Sequence, residues 1–138
     1  MSKLKGKKAL VVDDEEILRE MLVVQLSDQE VEALEASCAT DALDVLQNQV
    51  VDFIISDVRM PGGDGVELLK AVQVIPEEER PQIVMMTGFA DLTEEEAMEL
   101  GALKLFAKPF RNRDLFQFLE ENLDDEKRSE EADEDEEL

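Results

Sequence analysis

Short apolar runs alternate along this chain with longer segments in which apolar and polar residues are mixed. The short runs predict strands, and the longer segments, whose apolar residues recur every three or four positions, predict helices. The predicted strands are ALVVDD (9–14), VEALEA (31–36), FIISD (53–57), QIVMMT (82–87) and LKLFAKP (103–109). The predicted helices cover residues 15–29, 40–49, 66–75, 92–102 and 111–123. The first helix carries its apolar residues at helical spacing, and these are Ile17, Leu18, Met21, Leu22 and Leu26.

The strict alternation of strand and helix predicts an α/β fold. Parallel strands need a connection long enough to hold a helix, and such connections are right-handed, so the helices cover both faces of a parallel sheet. The carboxyl ends of all the strands then lie at one edge of the sheet. Open sheets of this kind bind ligands beyond that edge, where the strand order reverses.

The composition narrows the possible chemistry. With 138 residues, of which 43% are hydrophobic, the chain is expected to form one domain with a substantial core. No apolar stretch approaches the roughly 20 residues that cross a bilayer, and no signal peptide is recognised, so we expect a cytoplasmic protein. A single cysteine, Cys38, agrees with a reducing compartment, and the absence of histidine excludes histidine-based catalysis and histidine-ligated metals.

The charge is strongly acidic. The formal net charge of -22 argues against binding to nucleic acid or to an anionic membrane, which both require basic patches. The acids are densest in DDEKRSEEADEDEEL. We therefore expect a folded domain over residues 1–123 and a disordered acidic tail over 124–138, which is either a solubilising segment, a contact for a basic partner or the remnant of a linker.

Polar side chains stand at the carboxyl ends of four predicted strands. They are Asp13, Asp14, Asp57, Thr87 and Lys108. Each alone is explained as a helix cap, a turn residue or a surface charge. Together at one edge of a sheet they indicate a site, because the apolar strands before them are expected to be buried.

Three carboxylates in one place repel one another unless a cation neutralises them. Their hard oxygen atoms suit Mg²⁺, or Mn²⁺ in its place. A lysine ammonium and a threonine hydroxyl beside them could hold the oxygens of a phosphoryl group in transfer, and an aspartate can be the nucleophile in such a transfer.

The chain from about Lys7 to Leu123 resembles the receiver domain of two-component response regulators. The matching motifs are VVDDEE (11–16), ISDVRMPGGDG (55–65), MMTG (85–88) and FAKPF (106–110). The resemblance implies a CheY-like, flavodoxin-like three-layer fold in which five parallel strands have the order 2-1-3-4-5. It also implies a receiver of the stand-alone type, a signalling domain that catalyses only its own phosphorylation and dephosphorylation.

The resemblance also implies a role for each site residue. Asp57 would accept a phosphoryl group from a histidine kinase or phosphotransfer partner, and Lys108, held by a cis bond to Pro109, would contact the phosphoryl oxygens. Mg²⁺ would be bound by Asp13, Asp14, Asp57 and the main-chain carbonyl of Arg59. Thr87 would be the switch hydroxyl and Phe106 the coupled aromatic residue, although Phe106 outside the motif would be interpreted as ordinary core.

The resemblance further implies that residues 92–123 form the surface that binds a downstream protein, and that the domain is a monomer or a weak homodimer. We also hypothesise that bulky Arg59 and Phe89 slow the loss of the phosphoryl group, since they flank the route of attacking water. Two other functions stay open at this point. One is a receiver used without phosphorylation, and the other is a magnesium-dependent phosphatase with an aspartyl-phosphate intermediate. Such phosphatases characteristically carry Asp-x-Asp on the first strand, whereas this chain has adjacent aspartates there.

Overall fold

The structure is a computed structural model that describes residues 4–60, 64–88 and 92–123. Strands and helices alternate throughout these ranges. The strands are β1 (Lys8–Val12), β2 (Glu32–Ala36), β3 (Phe53–Asp57), β4 (Gln82–Thr87) and β5 (Lys104–Ala107). The helices are α1 (Glu16–Asp28), α2 (Ala39–Asn48), α3 (Gly65–Val72), α4 (Glu94–Glu99) and α5 (Asn112–Asn122). The predicted tail, 124–138, lies outside the described residues.

The five strands form one parallel sheet in the order β2-β1-β3-β4-β5, which confirms the predicted fold. The order reverses between β1 and β3. In register, Val11 of β1 lies opposite Ile55 of β3, and Ile55 lies opposite Val84 of β4. The carboxyl ends of β1, β3 and β4 therefore meet at the predicted edge.

The sheet has an apolar core on each face, and β3 contributes to both. Phe53 and Ile55 pack in the core beneath α1 and α5, together with Leu26 and Leu115. Ile54 packs in the other core, beneath α2, α3 and α4. Side chains alternate between the two faces because successive residues of a strand point in opposite directions. Burial on both faces fixes the position of the end of β3.

The apolar residues of α1 do not form one buried face. Leu22 and Leu26 are buried, but Ile17 is 74% exposed and Met21 is 50% exposed. At 3.6 residues per turn, Ile17, Met21 and Val24 fall within a stripe about 60° wide on the side away from Leu26. The helical spacing was thus a correct sign of a helix, but the residues divide between the core and an exposed apolar stripe.

The fourth helix is much shorter than the predicted 92–102. It begins after Thr93, whose Oγ1 accepts a hydrogen bond from the Glu96 N–H (3.1 Å) while Glu96 Oε1 accepts one from the Thr93 N–H (2.9 Å). This reciprocal capping box sets the start of the helix. Past its end, Gly101 has a φ of 111°, in the left-handed region that terminates helices. The prediction was therefore wrong at both ends.

Two strands also end earlier than predicted. β1 stops at Val12 rather than at 14, and β5 stops at Ala107 rather than at 109. Asp13 and Lys108 consequently lie just beyond their strands, in loops at the carboxyl edge. In the described part of the chain no helix has the length and apolar character needed to cross a membrane.

Candidate functional site

Asp57 is the last residue of β3, and it is buried at the carboxyl edge of the sheet. The chain leaving it is held on two sides. The Val58 N–H donates to the Met86 carbonyl (2.8 Å), and the Val58 carbonyl accepts from the Gly65 N–H (2.8 Å). β3 is buried along its whole length. The two hydrogen bonds of Val58 fix the main chain just after Asp57, so the acid is held at the carboxyl edge of the sheet.

Asp13 follows β1 directly and is held by hydrogen bonds from several directions. Its N–H donates to the Ala36 carbonyl (3.1 Å), which continues the pairing with β2. Its carboxylate Oδ1 accepts from the Glu15 N–H (2.9 Å). Its main-chain carbonyl accepts from Arg19 Nη1 (2.7 Å). Both the main chain and the carboxylate of Asp13 are therefore positioned before any ligand binds.

Three carboxylates converge at this edge. Asp13, Asp14 and Asp57 each offer an oxygen, and these oxygens all lie within 4.8 Å of one another. Asp13 and Asp57 are buried, whereas Asp14 is exposed, so the cluster opens to solvent on the side of Asp14. The Lys108 ammonium faces it, with Nζ 3.0 Å from Asp57 Oδ2 and 3.8 Å from Asp13 Oδ2.

The protonation of these groups reflects their crowding. Burial raises the pKa of Asp13 above its ordinary value, and the Glu15 N–H and the Lys108 charge offset only part of that effect. Burial alone would lower the pKa of Lys108. The hydrogen bond and charge of Asp57, with the charge of Asp13, outweigh that burial and leave the pKa of Lys108 raised, so the lysine is a fixed cation at physiological pH.

The donor set fits a divalent cation. Three carboxylates against one ammonium leave a local excess of negative charge, and the available atoms are hard oxygens with an open side where water can complete the coordination. Among the described residues, Asp13, Asp14 and Asp57 form the cluster that could hold the ion. Arg59 follows Val58 at the same edge with its side chain exposed, and a role for its carbonyl stays a prediction.

Thr87 and Lys108 are joined through the main chain. Thr87 is the buried last residue of β4, and its carbonyl accepts from the Lys108 N–H (2.7 Å). The Lys108–Pro109 peptide is cis, as the resemblance implies. Both side chains line an open cavity of about 750 Å³, which Phe106 also borders. The cavity connects the carboxyl edge with the surface between β4, α4 and β5.

Phe106 is half-buried on β5, opposite Met86 in register. Its ring lies 5.3 Å from that of Phe110, and 5.7 Å from that of Phe118 in an edge-to-face arrangement. Lys104 Nζ lies 5.9 Å from the Phe106 ring centre and forms an ion pair with Glu94 of α4 (2.9 Å). The aromatic residue that the motif singles out thus links α4, β5 and α5.

Sequence reasoning expected Asp13, Asp14, Asp57 and Lys108 at one edge, and the structure places them close together there, but that reasoning missed two supporting residues. Gly65 received no separate role from the sequence, yet a Cβ there would collide with the Asp57 carbonyl and the Met85 side chain. Arg19 carried no sequence signal that would pair it with Asp13. Phe89 and residues 61–63 lie outside the described ranges.

Comparison with known proteins identifies the family. Residues 9–120 match the family model of the response regulator receiver domain. Sporulation initiation phosphotransferase F of Bacillus subtilis (strain 168) is 36% identical over 106 residues, which are 76% of this chain and 84% of that protein.

Solved structures agree with this match. The Vibrio cholerae chemotaxis protein CheY4 is 33% identical, with a TM-score of 0.76 over 85% of this chain and 98% of that chain. A CheY-like receiver domain protein from Methanospirillum hungatei JF-1 is 27% identical, with a TM-score of 0.79 over 90% of this chain and 98% of that chain.

These matches do not support the alternative of a magnesium-dependent phosphatase. Receiver domains generally bind Mg²⁺ at a buried acidic cluster, and the cluster of Asp13, Asp14 and Asp57 is a counterpart in this chain. The strand order and this cluster both agree with the family matches. The chain therefore belongs to the response regulator receiver domains of two-component systems, which act in phosphorylation-activated signalling.

Proposed function

We propose that Asp57 is the phosphoacceptor of this receiver domain and that its phosphorylation switches the binding of a downstream protein in the cytoplasm. The observation that carries the proposal is the contact between Lys108 Nζ and Asp57 Oδ2 (3.0 Å), beside two further carboxylates. A buried aspartate with a fixed cation at one oxygen is suited to receive a group whose own oxygens need positive charge.

In the transfer step, a carboxylate oxygen of Asp57 attacks the phosphorus atom in line with the leaving group. A P–O bond forms while the donor's bond to phosphorus breaks. With a phosphohistidine donor the imidazole nitrogen leaves with the electron pair and takes up a proton from water. When Mg²⁺ is bound by Asp13, Asp14, Asp57 and the Arg59 carbonyl, it supplies positive charge to the phosphoryl oxygens. The Lys108 ammonium, which donates to Asp57 Oδ2, supplies a second positive charge to the phosphoryl oxygens.

The switch follows from the change of partners at the acyl phosphate. The new oxygens are strong acceptors with added negative charge, and in this proposal the Lys108 ammonium and the Thr87 hydroxyl donate hydrogen bonds to them. A phosphoryl group shifts an equilibrium only by its differential interaction with the two states, and about 5.5 kcal/mol takes a ratio of 1:99 to 99:1. Thr87 borders the same cavity as Phe106, so this aromatic residue is the proposed route to the surface.

We further propose that the phosphodonor is a histidine kinase or a phosphotransfer protein that docks on α1. The exposed stripe of Ile17, Met21 and Val24 gives it an apolar contact. A cavity of about 440 Å³ continues from Met21 to Lys108 and Asp13, so a protein seated on the stripe would reach the acceptor site. The apolar stripe that the donor would contact lies on α1, whereas the proposed output surface lies on α4, β5 and α5.

The output surface consists of α4, β5 and α5, which we call the readout face. It exposes Met98 and the acids of α4, a combination that suits a partner with a basic rim around an apolar contact. In this proposal the domain acts only on its own Asp57 and does not turn over a separate substrate.

The test is incubation with acetyl phosphate and Mg²⁺, followed by intact-mass measurement. Wild type is expected to gain one phosphoryl group and Asp57→Asn none. Asp44→Asn, an exposed substitution on α2, is the matched control and should be phosphorylated like wild type. No addition to wild type, or equal addition to Asp57→Asn, would remove the proposal. Hydrolysis of a phosphate monoester by the protein would contradict the absence of a separate substrate.

A further inference from the structure

Arg19 connects α1 to the turn that carries Asp13. Its side chain is only 16% exposed although it is charged. Nη1 donates to the main-chain carbonyl of Asp13 (2.7 Å), and Nε donates to Glu35 Oε1 on β2 (2.9 Å). The guanidinium therefore bridges the edge strand β2 and the β1–α1 turn, which is the turn that supplies two of the three clustered carboxylates.

The contact falls on the part of the turn that sets the direction of the Asp13 side chain. The Asp13 N–H is already bound to Ala36, and Oδ1 to the Glu15 N–H. Fixing the Asp13 carbonyl as well restrains the peptide plane that follows it. That plane leads directly to Asp14, so one guanidinium restrains the orientation of both acids.

We propose that Arg19 is a positioning residue for the carboxylate cluster and that Glu35 orients Arg19, so that this pair raises the affinity of the site for a divalent cation. The inference rests on the metal site of the proposed function. Mutual repulsion of the three carboxylates favours an open turn. The bond from Arg19 opposes that opening and reduces the reorganisation that ion binding requires.

The charge of Arg19 and its proposed positioning role predict opposite effects on metal affinity, so a metal titration of Arg19 variants can distinguish them. Arg19 is a cation close to the site, so Coulomb repulsion alone predicts that its removal would tighten the binding of a metal ion. Positioning predicts that its removal weakens binding. A merely structural ion pair predicts a lower unfolding temperature with unchanged metal affinity.

The test is a Mn²⁺ titration in which the free ion is followed by electron paramagnetic resonance, with calorimetry for Mg²⁺. These methods are needed because the chain lacks tryptophan and tyrosine as fluorescent reporters. Arg19→Lys keeps the charge but loses the fork that makes both hydrogen bonds, and Arg19→Gln removes the charge as well. We expect each to bind Mn²⁺ about tenfold more weakly than wild type.

Glu35→Gln is a milder second variant, expected to weaken Mn²⁺ binding less than Arg19→Lys because an amide oxygen still accepts from Arg19. Glu32→Gln removes the same charge from the same strand, where Glu32 pairs with Lys8 (3.9 Å), and should bind like wild type. Arg80→Lys alters an arginine that donates to a different main-chain carbonyl, that of Ile75, and should also bind like wild type.

Three outcomes separate the possibilities, with the unfolding temperature of each variant measured alongside. Weaker Mn²⁺ binding by both Arg19 variants and by Glu35→Gln, but not by the two controls, supports the inference. If wild type binds Mn²⁺ and Arg19→Lys or Arg19→Gln binds it equally well or more tightly, the inference is overturned and the proposed metal site stands. No binding by wild type overturns the metal site and this inference with it.

Discussion

The Lys108 ammonium donates a hydrogen bond to Asp57 Oδ2 over 3.0 Å and joins the end of β5 to the end of β3. β4 lies between these two strands in the sheet, so the contact spans its carboxyl end, where Thr87 stands. A group that replaces Asp57 Oδ2 as the partner of the Lys108 ammonium would therefore change contacts at the ends of β3 and β5 together. This relationship ties the acceptor to the strand that carries Phe106.

Replacing Lys108 by Gln should slow phosphorylation. The variant loses the fixed positive charge at the acceptor, and loss of one preorganised donor to a developing charge costs on the order of 100-fold in rate. The rate of acyl-phosphate formation from acetyl phosphate at saturating Mg²⁺, followed by intact mass, measures the effect. Lys70→Gln, an exposed change on α3, serves as the control. Equal rates for Lys108→Gln and wild type would rule out this role of the lysine.

Replacing Asp13 by Asn should stabilise the protein without Mg²⁺ at neutral pH. Burial raises the pKa of Asp13, so the folded protein binds this proton more tightly than the unfolded chain does. The free energy of unfolding therefore falls as pH rises from the unfolded pKa, about 3.9, through the higher folded pKa, and stays lower above it. Asn at this position removes that loss and still accepts from the Glu15 N–H.

Urea unfolding of wild type and Asp13→Asn across pH measures the difference. The advantage of the variant should disappear at a pH below both pKa values, where Asp13 is neutral in either state. Mg²⁺ should stabilise wild type more than the variant, because the variant lacks one ligand. A variant less stable than wild type at pH 7 without Mg²⁺ would contradict this electrostatic account.

Replacing Gly65 by Ala should destabilise the fold. The added Cβ would meet the main-chain carbonyl of Asp57, which cannot swing away as a flexible side chain does. Overpacking of this kind costs roughly 1–3 kcal/mol in the free energy of unfolding. Gly88→Ala is the matched control, since its Cβ would find only ordinary contacts with Lys108 at 3.9 Å and beyond. Equal urea midpoints for the two variants would show that the close approach has no energetic weight.

Replacing Arg59 by Ala should shorten the lifetime of the acyl phosphate severalfold. The exposed Arg59 side chain follows the acceptor by two residues. In this hypothesis it obstructs the approach of water to the phosphorus. Decay of the phosphorylated protein after removal of acetyl phosphate gives the lifetime. Arg80→Ala controls for the loss of a positive charge elsewhere. A slower or unchanged decay in Arg59→Ala would refute the hypothesis.

The strands and the charged cluster could be predicted from sequence because they depend on local patterns. The apolar run FII predicts a buried strand, and a parallel sheet puts the residues after its strands at one edge. Asp13 and Asp57 follow adjacent strands and were therefore expected to be neighbours once the topology was inferred, whereas Lys108 reaches Asp57 across the end of β4. The family motifs supplied the strand order and the cis bond before Pro109.

The remaining features depend on contacts that no local pattern records. The bridge from Arg19 to Glu35 forms across two elements, and the spacing of these residues carries no sign of it. The apolar residues of α1 signalled a helix without revealing that Ile17 and Met21 stay exposed. α4 begins later than predicted because of the cap at Thr93, and a pattern of apolar residues does not detect such a cap.

The central claim is that a phosphoryl group on Asp57 changes the surroundings of Phe106. The most direct measurement is a pair of ¹H–¹⁵N correlation spectra, with and without acetyl phosphate, in the presence of Mg²⁺, for wild type and Asp57→Asn. In wild type, the amide signals of Thr87, Phe106 and Lys108 should be replaced by new, shifted signals whose intensity follows the phosphorylated fraction found by mass, and Asp57→Asn should show no such shifted signals. Fully phosphorylated wild type with unshifted Phe106, or the same shifts in Asp57→Asn, would contradict the account.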